Sequence, residues 1–93
     1  MELTELPNIG PVLADNLHRV GIASAEELCS VGACEAWLRI RTQVDNGACF
    51  HQLTALAGAE SGIPKKALSS ERKAELRAFF DRAKSSETGI KNV

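Results

Sequence analysis

Leu6-Pro7-Asn8-Ile9-Gly10-Pro11-Val12-Leu13-Ala14 and, twenty-two residues on, Leu28-Cys29-Ser30-Val31-Gly32-Ala33-Cys34-Glu35-Ala36 share one pattern: Leu, two residues, a β-branched residue, Gly, three residues, Ala. In each copy the Gly permits a tight backbone turn, the β-branched side chain plugs the space between two short helices, and the Ala lets those helices approach. This is the logic of a helix-hairpin-helix, a unit that aims backbone N–H groups at a helix N-terminus toward a phosphate. The same pattern also suits a glycine-capped corner that only packs.

Working outward, the chain reads as helix and turn throughout. Pro11 has its φ pre-set for a first helical turn and lacks only an N–H that would be unpaired there, so a helix starts at this point. Leu13, Leu17 and Val20 put its apolar face on one side, and Gly21 stands where a C-terminal cap belongs. Ser24-Ala25-Glu26-Glu27 has the form of a capping box, opening a short second helix that ends near Val31. After Gly32, the residues Ala36, Trp37, Ile40 and Val44 resume a spacing of three and four in a third helix, closed by the turn Asp45-Asn46-Gly47. From Ala48 to Ser61, Cys49, Leu53, Leu56, Ala57 and Glu60 form a stripe flanked by the small residues Ala55, Gly58 and Ala59, which predicts a largely buried fourth helix. Gly62-Ile63-Pro64 ends it, because the residue before a proline avoids the α region. Ser69-Ser70-Glu71 offers a cap for a fifth helix with Leu76, Phe79, Phe80 and Ala83 on its apolar face. Ser85 to Val93 shows no periodicity and reads as a flexible, frayed tail. No segment alternates with period two, so no strand is expected. The expectation is an all-α domain over residues 1–84, a compact bundle of about five short helices with helix-hairpin-helix-like turns.

Composition agrees with a single globular domain: 93 residues, 44% hydrophobic and 25% charged, against the poorer apolar content of a disordered chain. No run approaches the roughly 20 apolar residues of a membrane helix, and Met1-Glu2-Leu3-Thr4-Glu5 lacks the basic start of a secretory signal. A cytoplasmic protein without membrane contact is expected. Cys29, Cys34 and Cys49 are odd in number and match no zinc spacing, which predicts free, small buried thiols and no metal or other cofactor. A nucleophilic pair at Cys49 and His51 fails on geometry, since helix neighbours two apart point about 200° from each other. Glu26, Glu27 and Glu35 are explained by capping and solvation. No enzyme activity and no small-molecule substrate are expected.

Net charge is −1, but its distribution is uneven. Residues 1–64 carry three basic groups against eight acidic, a net of −5, and residues 65–84 carry seven basic against three acidic, a net of +4. Any phosphate contact therefore falls first to Lys65, Lys66, Arg72, Lys73 and Arg77, as weak and sequence-independent binding of DNA. The glycine corners are poor phosphate clamps. In the first, Asn8 stands where a glycine is usual, Pro11 removes an amide, and Val12, Leu13 and Ala14 bring no charge. In the second, Glu35 takes the positive end of the helix dipole. The competing partner class is a regulatory protein or a second copy of the chain. Trp37, the only tryptophan, is the candidate contact for it, weighed against a place in the core beside Ile40 and Val44.

The chain resembles the C-terminal domain of TfoX-like (Sxy-like) regulators of natural competence. The resemblance rests on Leu6-Pro7-Asn8-Ile9-Gly10, Val20-Gly21-Ile22-Ala23-Ser24 followed by Glu27-Leu28, Val31-Gly32-Ala33 with Ala36-Trp37, and Leu53-Thr54-Ala55-Leu56-Ala57-Gly58-Ala59 before Gly62-Ile63-Pro64. It runs from about Leu3 to Phe80. It implies a compact helical domain, found alone or behind an N-terminal TfoX domain, with a role in DNA transformation and transcriptional regulation and with no catalytic residues. Thr54, Ala57 and Lys65 depart from the pattern, where an aromatic, a Glu and a Trp are common.

Overall fold

Helix starts and stops follow the local chemistry. In a computed structural model describing the backbone of residues 1–91 and the side chains of residues 1–85, the helices are α1 (Pro11–Arg19), α2 (Ala25–Val31), α3 (Ala33–Gln43), α4 (Phe50–Ser61) and α5 (Ser70–Lys91). Single 3-10 turns lie at Leu3–Glu5 and Lys65–Ala67, and no strand occurs among the described residues.

Ser24 caps α2 by accepting the Glu27 N–H at 3.2 Å, and the Glu27 carboxylate accepts from Ala23 N–H at 3.1 Å. The capping box thus reaches one residue further upstream than its usual form. Ser69 accepts the Arg72 N–H at 3.0 Å to cap α5. Gly62 ends α4 in the left-handed region at φ 73°, where a residue without Cβ carries no strain. Asp45 accepts from the N–H of Gly47 through its side chain at 2.9 Å and from that of Ala48 through its carbonyl at 3.0 Å, forming the expected turn before α4. That turn carries the chain to Phe50, so α4 starts two residues later than the sequence suggests, with Cys49 as its N-cap. At the other end, α5 continues to Lys91, beyond the point at Ser85 where apolar periodicity stops.

α4 is the axis of the core. Leu53 through Ala59 are buried all round this helix, including the polar Thr54, whose hydroxyl donates to the His51 carbonyl at 2.8 Å. Leu17, Leu28, Ala36, Trp37, Ile40 and Leu76, from the other four helices, are each 0% exposed and belong to the same cluster. A helix buried on every side needs small residues where its neighbours cross it closely, and Ala55, Ala57, Gly58 and Ala59 supply them.

The two corners read as a repeat differ in the structure. The second joins α2 directly to α3 through Gly32, at φ 91°. The first is entered from one 3-10 turn, so it has a full helix on one side only. Gly10, its motif glycine, sits at φ −94° with nothing within 4 Å of the place a methyl would take, and needs no special freedom. The left-handed residue there is Asn8, at φ 70°.

Candidate functional site

Both corners are latched to α4 and the segment that follows it. At the first, Asn8 Nδ2 donates to the carbonyls of Ala55 at 3.2 Å and Ile63 at 3.0 Å, while its Oδ1 accepts from the Lys65 N–H at 3.1 Å. Asparagine is suited to this twice over, because it tolerates φ > 0 and carries donors and an acceptor on one short arm. The arm fits only because residue 58 is glycine: a Cβ there would stand 2.5 Å from Asn8 Nδ2 and 2.7 Å from the Ile63 oxygen.

At the second corner, Glu60 Oε1 accepts from the Ala33 N–H at 3.2 Å, the first amide of α3. Glu35 lies in the first turn of α3, at the positive end of the dipole as the sequence indicates, and also pairs with Arg39 at 2.9 Å. Glu60 adds a second carboxylate to this helix end, one that comes from α4 and bonds the amide directly. Arg72 Nη2 stands 3.8 Å from the same Glu60 oxygen, tying α5 to the arrangement. Thus an internal amide side chain and an internal carboxylate hold the two corners from which a phosphate clamp would have been built.

The basic residues separate into two groups. Arg72 is shared between Glu60 and Glu75, the latter at 3.3 Å, and Arg77 lies 3.5 Å from Asp81. Lys65 and Lys66, on the 3-10 turn after α4, and Lys73, in the first part of α5, are exposed and have no carboxylate within ion-pair distance among the described residues. Segments 65–67 and 70–77 therefore place three lysines with open ammonium groups on the surface that follows α4.

Of the two roles weighed for Trp37, the structure places it in the core. The ring is 0% exposed, its Nε1–H donates to the Cys49 carbonyl at 3.2 Å, and Phe79 and Phe80 pack on it with centroids 5.9 and 5.4 Å away. The thiols are free, but the expectation that they are buried is corrected: Cys29 and Cys49 are exposed and Cys34 is half-buried. Cys49 is exposed because it is the N-cap of α4, outside the helix proper, and Cys29 lies at the open rim between α2 and α4, its Sγ 3.7 Å from the Glu60 carbonyl. Burial pushes the Cys34 thiol up from its ordinary pKa, against which Arg72 pulls down. No cluster of three or more metal-ligating side chains occurs among the described residues, and no helix there is long and apolar enough to cross a membrane.

Two crystal structures share this architecture. An uncharacterized protein from Listeria monocytogenes in a triclinic form superposes with a TM-score of 0.88 at 42% identity, over 90% of this chain and 94% of that one. A protein of unknown function from the same organism, in a tetragonal form, gives 0.82 at 43% identity, over 85% and 96%. No curated protein matches the chain. The family model of the TfoX C-terminal domain matches residues 1–80, from the first 3-10 turn to Phe80 in α5. With the Leu6–Ala14 corner, its latch onto α4 and all five helices inside or begun within that match, the chain belongs to the TfoX C-terminal domain family.

Proposed function

We propose that this domain is a non-enzymatic binding module in TfoX-type regulation of DNA transformation, and that it makes weak, sequence-independent contact with DNA through Lys65, Lys66 and Lys73. The observation that carries the reading is the set of three exposed ammonium groups that no carboxylate neutralises among the described residues. The corners do not take phosphate in this reading, because Asn8 and Glu60 already satisfy the groups there. Arg72 supports the fold through Glu60 in preference to the ligand.

Contact through three lysines has a definite signature. Each phosphate neutralised releases counterions, so the logarithm of affinity falls against the logarithm of salt with a slope of about −2.7 for three contacts. Fluorescence anisotropy with a labelled duplex at low salt is expected to show this slope, and changing Lys65, Lys66 and Lys73 together to Glu is expected to abolish binding. No binding at low salt, or binding indifferent to the triple change, contradicts the proposal. It would favour the second reading, a protein-interaction module, for which the relevant surface is the open apolar groove lined by Met1, Leu6, Ala25, Cys29, Ala59 and Gly62. Val12, 77% exposed at the start of α1, adds apolar surface outside that groove.

A further inference from the structure

Where α3, the start of α4 and α5 meet, four aromatic rings form one row. Phe79 meets Trp37 near edge-on at 5.9 Å between centroids, Trp37 tilts against Phe80 at 5.4 Å, and Phe80 meets Phe50 edge-on at 5.5 Å. Trp37 and Phe80 are buried, while Phe50 and Phe79, at the ends of the row, are half-buried. Cations stand over it. The Arg77 guanidinium carbon lies 5.0 Å from the Phe50 centroid and 5.6 Å from that of Phe80, Lys84 Nζ lies 5.2 Å from Phe80, and the Arg41 guanidinium carbon 5.5 Å from Trp37.

Long basic side chains often cover a thin core in this way with their aliphatic stems. Arg77 does more than cover. Lys73, Arg77, Phe80 and Lys84 follow one another at spacings of four, three and four, so they share one stripe of α5. The Arg77 guanidinium carbon lies over both Phe50 and Phe80, rings that stand at 69° to one another, yet its side chain remains 59% exposed. Asp81 approaches at the Nε atom, 3.5 Å away, and N–H groups of a guanidinium point along the edge of its plane and not out of its face. A planar cation held over aromatic rings and still largely exposed is a group on which an unpaired base stacks. Lys73, one turn before it, supplies positive charge for the adjoining phosphate.

We propose that this stripe takes single-stranded nucleic acid, with a base stacked on the Arg77 guanidinium and the neighbouring phosphate at Lys73. The inference rests on the reading that the domain contacts nucleic acid, and it adds the kind of strand: a duplex keeps its bases stacked on one another and offers Arg77 only a phosphate. Anisotropy titrations of the full chain with a labelled 15-nucleotide thymidine strand and with a 15-base-pair duplex separate the two. The single strand is expected to bind about tenfold more tightly, the scale of one base–aromatic stack. Arg77→Lys keeps the charge and removes the plane, so it is expected to lower single-strand affinity about tenfold and leave duplex affinity unchanged. Phe50→Leu, which removes one of the two rings, is expected to act in the same direction, with circular dichroism confirming that both variants fold. Equal affinity for the two probes, or an Arg77→Lys effect equal on both, overturns this inference and leaves the duplex-contact proposal standing. Failure of both probes to bind overturns the two together.

Discussion

Gly58→Ala is expected to destabilise the domain by about 2–4 kcal/mol, as overpacking against groups that cannot retreat adds to the loss of the Asn8 hydrogen bonds. The new methyl would stand 2.5 Å from Asn8 Nδ2, 2.7 Å from the Ile63 carbonyl oxygen and 3.2 Å from Lys65 Cα, and two of those three are backbone atoms. Moving Asn8 away leaves the Ala55 and Ile63 carbonyls and the Lys65 amide without the partner they have now. Against a total stability of about 5–14 kcal/mol for a chain of this size, such a loss is a substantial fraction of the whole. Urea unfolding measures it directly. Gly10→Ala is the control, since a methyl there meets nothing within 4 Å and φ is −94°; its cost is expected to stay below about 1 kcal/mol. If the two alanines cost the same, the latch does not hold the corner.

The second large effect is at Trp37, where truncation to Ala is expected to cost about 3–5 kcal/mol. The indole fills the space between α3 and α5 and is 0% exposed, so its removal leaves a cavity bounded by Phe79 and Phe80 and takes away one of the two donors of the Cys49 carbonyl, the other being the Leu53 N–H. Trp37→Phe retains most of the volume but not the N–H, and is expected to fall between the wild type and the alanine variant. Because Trp37 is the only tryptophan, its emission reports its surroundings directly: a short-wavelength maximum when folded, moving to long wavelength through the urea transition. A long-wavelength maximum in the folded protein, or a Trp37→Ala cost near zero, would contradict a core position.

Local signals in the sequence carried most of the helical framework. Pro11, Ser24, Ser69 and Gly62 mark ends of α1, α2, α5 and α4 because each acts within three or four residues of itself, through ring geometry, a short side-chain bond or a left-handed φ. Spacing likewise placed Leu13, Leu17 and Val20 on one buried face, and the small residues of α4 at its crossing points. The latches were not legible in the same way. Asn8 reaches partners 47, 55 and 57 residues away, and Glu60 reaches Ala33 from 27 residues on, distances over which no spacing rule operates. Asn8 therefore read as a missing glycine, when it is the left-handed residue of the turn and its fastener, and Glu35 was legible in the first turn of α3 while the Glu60 bond to the Ala33 amide was not.

The basic segment shows the same division. Arg77 with Asp81 is an i, i+4 pair visible in the sequence, whereas the approach of Arg72 to Glu60 depends on how α5 lies against α4. Only with both known do Lys65, Lys66 and Lys73 separate from Arg72 and Arg77. Exposed and half-exposed ion pairs of this kind add little to stability, so the consequence of the pairing is which charges remain for a ligand.

Hydrogen exchange at the Ala33 and Lys65 amides tests most directly whether α4 and the turn after it hold both corners. Ala33 N–H opens a helix and Lys65 N–H lies on an exposed turn, and the acceptors assigned to them are the Glu60 and Asn8 side chains. Both amides are expected to exchange about tenfold or more slowly than free-peptide rates. Glu60→Ala should release Ala33 alone, and Asn8→Gly, which keeps the backbone conformation accessible, should release Lys65 alone. Free-peptide exchange at both amides in the unmodified protein would contradict the latches and return the corners to the solvent, open to phosphate.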